Sequence, residues 1–127
     1  MKPSRGLAER QKAWRRGRAA EALCVWSLRL RGWRIVARDL KLPVGEIDIL
    51  ARRGGILAAI EVKTRSTLDI AAESVSLRQR RRIARALEAF LATRHELARL
   101  SPRFDVMLLA PRRLPRHLVD AWRVDAQ

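Results

Sequence analysis

The chain has 127 residues and 48% apolar composition, enough for one ordinary globular domain with a real core. No apolar run approaches the ~18 residues of a membrane span, and Met1 to Gly6 lead into charge rather than an apolar signal segment. The lone Cys24 cannot form an internal disulfide, so a reduced cytoplasmic location is expected. Lys and Arg total 28 against 13 Asp and Glu, a formal net charge of +15, and nearly all the cations are arginine. Such an excess implies a polyanionic partner, nucleic acid foremost, because the planar guanidinium fork suits phosphate.

Residues 1–16 hold six basic residues against the single Glu9 and read as a basic N-terminal arm, leaving residues 17–127 as one domain. From Gly17 to Leu30 the spacing of Ala20, Leu23, Cys24, Ser27 and Leu28 predicts a helix, closed by Gly32 in a left-handed cap. Trp33 to Arg38 alternates as a strand does, and Leu42-Pro43-Val44-Gly45 supplies a turn. Two apolar runs follow, 46–52 and 56–63, joined by Gly54-Gly55 in a hairpin. Residues 64–75 read as a loop. Ser76 and Gln79 have capping-box spacing at the head of a long helix over 76–99, with Ile83, Leu87, Phe90, Leu91 and Leu97 on one stripe and Pro102 at its end. Residues 103–110 predict a further strand, and His117 to Trp122 an edge strand or final turn. The four tryptophans show no single exposed face and are expected in the core or an interface. The sum is a single-domain α/β sandwich: helix, three antiparallel strands, helix, strand and a short terminal element.

The chemistry-bearing segments are Gly45-Glu46-Ile47-Asp48 and Glu61-Val62-Lys63-Thr64-Arg65. Strand alternation puts Asp48 on one face with Glu46 and Leu50, away from Ile47 and Ile49. A two-residue loop at Gly54-Gly55 would pair Arg53 with Ile56 and so set Asp48 opposite Glu61, and Glu46 opposite Lys63. Opposed carboxylates repel unless one is protonated or a cation sits between them, and a hard divalent ion is the natural cation. An ordinary ion-pair cluster with Lys63 and nearby arginines is the plain alternative, but strands this apolar are covered on both faces, where idle charges are expensive. Glu21 falls in the inward stripe of the first helix, as either a partner for an arginine or a third carboxylate facing the hairpin. The neighbouring carboxylates favour the second.

Asp48 followed by Glu61-x-Lys63 resembles the Asp…(Glu/Asp)-x-Lys signature of the restriction-endonuclease-like superfamily. Gly17-x-x-x-Glu21, Gly45-Glu46-Ile47-Asp48, Glu61 to Arg65 and Arg103-Phe104-Asp105-Val106 are similar, in order and spacing, to the bacterial YraN-like family (uncharacterised protein family 0102), described as endonuclease-like. The first helix and hairpin also resemble those of archaeal Holliday-junction resolvases. The resemblance covers roughly residues 14–124. It implies a sandwich fold and a metal-dependent endonuclease acting on DNA, branched or repair intermediates included, with RNA as the other substrate class. Asp48, Glu61 and Glu21 would be ligands of Mg2+ or Mn2+, with Glu46 in support, and Lys63 the catalytic lysine. The sequence departs from that pattern at Gln79, where lysine is usual, at Ala71-Ala72, where glycine is common, and at Asp39, where Asn is frequent. Arg78, Arg81, Arg82 and Arg85 form one basic stripe on the second helix and, with Arg65, are the candidate nucleic-acid contacts. Resolvase-like nucleases often pair, so a homodimer is a further expectation. Two other readings compete: a non-catalytic nucleic-acid module of the same fold, and a basic assembly protein whose carboxylates merely pair with arginines. Metal binding separates them from the nuclease.

Overall fold

The computed structural model describes residues 5–64 and 75–124, with side chains from residue 17 onward. Helix α1 spans Arg5–Leu30, so helical structure begins well before Gly17. It ends in a paired closure: Trp33 N–H donates to the carbonyl of Leu28 and Gly32 N–H to that of Arg29. Gly32 adopts φ +89°, which makes this reversal possible without a β-carbon clash. Strands β1 (Arg34–Leu42), β2 (Gly45–Arg53) and β3 (Ile56–Thr64) follow as antiparallel neighbours. The β2–β3 loop is the Gly54-Gly55 pair, flanked by Arg53 opposite Ile56, as the spacing required. Helix α2 (Leu77–Thr93) then carries the chain back so that β4 (Ser101–Leu109) lies parallel to β3, and β5 (Arg116–Trp122) closes the edge antiparallel to β4. The sheet order is β1-β2-β3-β4-β5. A parallel neighbour needs a crossover of this kind because a tight turn cannot reverse the chain twice.

Each face of the sheet is covered. Ile83, Ala86 and Leu87 of α2 pack on Leu50, Leu57, Ala59, Val106 and Leu108. On the other face Ala20, Cys24, Val25 and Leu28 of α1 meet Ile49, Ala51, Ala58, Ile60 and Met107. Burial on both sides accounts for the unbroken apolar run Leu57-Ala58-Ala59-Ile60 in β3. Trp33 and Trp122 are core residues, whereas Trp26 is 61% exposed on the outer surface of α1. No helix among the described residues is long and apolar enough to cross a membrane.

Three details depart from the sequence reading. Strand β1 runs four residues beyond Arg38, through a bulge after Ile35 and a left-handed Asp39 at φ 49°. Asp and Asn enter that region most cheaply among residues with a β-carbon. Helix α2 stops at Thr93, because Arg94 leaves helical geometry and its N–H turns back to the Leu91 carbonyl. A single 3-10 turn, His95–Leu97, still delivers Leu97 to the core, and Pro102 lies inside β4 rather than marking the helix end. Finally, alternation in β2 fails around Asp48: Ile47 packs on the α2 side with Leu50, while Ile49 packs on the α1 side.

Candidate active site at the fork of β2 and β3

The β2–β3 ladder runs from Arg53↔Ile56 to Ile49↔Ile60, and the next pair would be Asp48 and Glu61. Instead the strands part. Beyond this point β2 pairs only with β1, Ile47 with Leu40 and Glu46 with Lys41, while β3 continues along β4 to Thr64↔Leu109. The expected opposition of Glu46 and Lys63 therefore does not form. Asp48 Oδ2 accepts the Val62 N–H at 2.8 Å, so a carboxylate replaces the carbonyl that a continuing β2 would have offered. The ladder ends here and the fork opens, with Asp48 at its base.

Asp48 and Glu61 are neighbouring, largely buried carboxyl groups at that base. Burial raises the Asp48 carboxyl above the usual range, and the charges of Glu21 and Glu46 add to the effect against the Val62 N–H and the Glu61 hydrogen bond. Burial and the Asp48 charge push Glu61 up to about 7, although Lys63 opposes them. Lys63 Nζ lies 3.6 Å from Glu61 Oε1 and 3.4 Å from Gln79 Oε1. Gln79 also holds the helix start, accepting from Ser76 N–H at 3.2 Å while Ser76 Oγ accepts from Gln79 N–H. A lysine at position 79 would set a second cation against Lys63; the glutamine accepts a hydrogen bond from it instead. The Cys24 thiol is fully buried and pushed up to about 12 by burial, with Asp48 and Glu21 adding to the effect, which favours the protonated thiol.

Two openings meet at Asp48. A small cavity of about 50 Å³ is bordered by Glu46, Asp48, Glu61, Gln79 and Arg82 on the α2 side. A cleft of about 260 Å³ on the α1 side is bordered by Glu21, Arg18, Asp39, Lys41 and Asp48. Glu21 thus faces the same cleft as Asp48, but its carboxylate is held by Arg38, whose Nε donates at 3.2 Å. Among the described residues no three of His, Cys, Asp and Glu gather into a ready-made ligand set. Two neighbouring carboxyl groups that burial raises, Glu61 further by the charge of Asp48, are nonetheless a hard-oxygen pair whose cost in the ionised form a divalent ion relieves. Mg2+ commonly takes only one or two protein carboxylates, with water and phosphate completing its shell.

The basic stripe of α2 divides. Arg82 borders the carboxylate cavity, Arg81 and Arg85 face a separate groove toward β5, and Arg78 is exposed without lining either. Arg65 lies outside the described residues. One network carried no role in the sequence reading. Asp105, fully buried in β4, accepts from Arg103 Nε and Nη2, both at 2.9 Å, and from Asp120 N–H at 2.9 Å, and lies 2.7 Å from His117 Nε2. Burial alone would raise this carboxyl, but the hydrogen bonds from His117, Arg103 and Asp120 outweigh it and hold it below the ordinary value. Its signal in the sequence was an acid inside the apolar run Phe104 to Leu109.

The description "Uncharacterised protein family UPF0102" matches residues 20–109. The chain belongs to this family. It is 54% identical over 119 residues to a UPF0102 protein of Paramagnetospirillum magneticum, covering 91% of this chain and 92% of that one. A UPF0102 protein of Parvibaculum lavamentivorans is 53% identical over 121 residues, 95% of this chain and 88% of the relative. Another from Sphingopyxis alaskensis is 52% identical over 117 residues, 90% and 97% of the two chains. Glu21, Asp48, Glu61, Lys63 and Arg82 all fall inside the matched stretch.

Proposed function

We propose that this UPF0102 protein is a metal-dependent endonuclease that hydrolyses phosphodiester bonds in DNA. The observation that carries the reading is the Asp48–Glu61 pair at the strand fork. Two carboxyl groups stand side by side, each has a raised pKa, and Lys63 stands 3.6 Å from the second. A structural ion pair would place its cation between the carboxylates; here they face one another, and Lys63 reaches only Glu61. The net charge of +15 supports a polyanionic substrate.

Asp48 and Glu61 would hold Mg2+ or Mn2+, with Glu46 beside them and Glu21 at the far edge of the cleft. The ion supplies Lewis-acid chemistry, lowering the pKa of a water and neutralising charge on the phosphate. Lys63, fixed between Glu61 and Gln79, orients the attacking water and offsets charge as it develops. Arg82 holds the phosphate at the cavity mouth. Val62 N–H fixes the orientation of the Asp48 carboxyl group, which would help to hold the ion.

The test compares wild type with Asp48→Ala on labelled single-stranded, duplex, flap and four-way-junction DNA and on RNA, each with Mg2+, Mn2+ or EDTA. Cleavage that needs metal and vanishes in the variant supports the reading, and the preferred substrate refines it. Binding without cleavage in any metal would instead assign a non-catalytic nucleic-acid module.

A further inference from the structure

A second basic surface lies on a different face of α2 from the one that borders the carboxylates. It is a groove of about 500 Å³ between the first turns of α2 and the end of β5, bordered by Arg80, Arg81, Arg85, Arg123, Leu77 and Trp122, with no carboxylate in its lining. Arg81 and Arg85 are four residues apart, hence neighbours on one helix face. Both are exposed, and neither is ion-paired with a carboxylate among the described residues. The other two arginines are held in place. Arg80 donates from Nε to the Val75 carbonyl at 3.0 Å and lies over the Trp122 ring at 5.6 Å. Arg123 is anchored by Asp120 at 3.0 Å. Leu77, 67% exposed, adds an apolar wall.

Four guanidinium groups this close repel one another, and those in the first turns of α2 also oppose the helix dipole. A bound polyanion relieves both. Arg82, one position on, is rotated by about 100° around the helix and borders the carboxylate cavity instead. The two basic surfaces therefore lie on different faces of one helix. We infer that the Arg81–Arg85–Arg123 groove is a second anchoring site for the sugar–phosphate backbone of the nucleic acid, which crosses α2 from Arg82 towards β5. This rests on the nucleic-acid reading of the previous subsection. Planar guanidinium donors match phosphate oxygens, while Leu77 and the exposed Val124 offer apolar contact for sugars and base edges.

The experiment is anisotropy of fluorescein-labelled 20-mer DNA, duplex and single-stranded, binding the full chain in EDTA over a range of salt. Wild type is compared with three double variants. The first is Arg81→Ala with Arg85→Ala, and the second is Arg81→Lys with Arg85→Lys. The third, Arg112→Ala with Arg113→Ala, removes equal charge from the β4–β5 loop. The groove variant should bind roughly tenfold more weakly, with the slope of log K against log salt reduced by about 1.4–1.8. The lysine variant should recover most of the slope, and the loop variant should stay within about twofold of wild type. Equal losses in the groove and loop variants, or unchanged slopes in the groove variant, would overturn the proposal. So would wild-type slopes on DNA combined with lost binding to phosphatidylglycerol vesicles, which would assign the groove to a lipid surface. Failure of the nuclease reading looks different: no cleavage with Mg2+ or Mn2+, with the slope difference intact.

Discussion

The backbone of Gly45 packs against the carbonyl of Arg82: a β-carbon on Gly45 would stand 1.9 Å from that oxygen and 2.6 Å from its carbon. This contact presses the start of β2 onto α2, the helix that brings Gln79 and Arg82 to the carboxylate cavity. The obstacle is main chain in the middle of a helix, so it cannot rotate aside. Gly45→Ala should cost about 3 kcal/mol or more of stability in urea unfolding, at the upper end of overpacking penalties. If helix and strand were held together only by side chains, the cost would stay below about 1 kcal/mol.

The bond from Val62 N–H to Asp48 separates two roles of one side chain. Asp48→Asn keeps an acceptor oxygen and removes a charge that burial disfavours, so in EDTA it should be at least as stable as wild type. Asp48→Ala leaves the N–H without a partner and should be about 1–2 kcal/mol less stable than Asp48→Asn. Both variants should lose metal-dependent cleavage. Denaturation curves paired with a nicking assay measure the two effects side by side.

The raised Glu61 carboxyl gives a pH dependence with a definite sign. Its folded value of about 7 lies above the ordinary 4.5, so the folded state binds the proton more tightly than the unfolded state does. The stability this confers is complete below about 4.5 and is lost as pH rises through 7. Without metal, melting temperature should therefore carry a falling contribution between pH 5 and 8 that Glu61→Gln abolishes. Mn2+ should raise the melting temperature more at pH 8 than at pH 5, because it binds the deprotonated pair. Equal metal shifts at both pH values would place the ion elsewhere.

The Asp105 network behaves oppositely. Its carboxyl is held below the ordinary value of 3.8, so its contribution is present above that pH and lost as acid protonates it in the folded state. Replacing Asp105 with Asn would leave Arg103 and His117 facing a neutral group in the core. The expected cost is about 3–5 kcal/mol, measured by chemical unfolding at pH 7. A loss below about 1 kcal/mol would show that water replaces the carboxylate without penalty.

Sequence alone settled what depends on local order. The Gly54-Gly55 loop, the Ser76–Gln79 capping box and the Gly32 cap are set by residues within a few positions of each other, and all three form as read. The Asp-then-Glu-x-Lys spacing, combined with hairpin register, brought Asp48 next to Glu61 for the same reason. Tertiary structure decided the rest. Whether the ladder continues past Ile49↔Ile60 depends on β1 and β4 drawing β2 and β3 apart, a competition between partners distant in sequence. That competition set Glu46 opposite Lys41 rather than Lys63. Likewise, the sequence showed one arginine stripe on α2, but only packing between the carboxylate fork and β5 divides it into two surfaces. Glu21 meets Arg38, which lies on β1 between a bulge and the left-handed Asp39, a pairing of elements distant in sequence. Periodicity gives the direction of a side chain within its own element; which neighbour waits there is fixed when the elements pack.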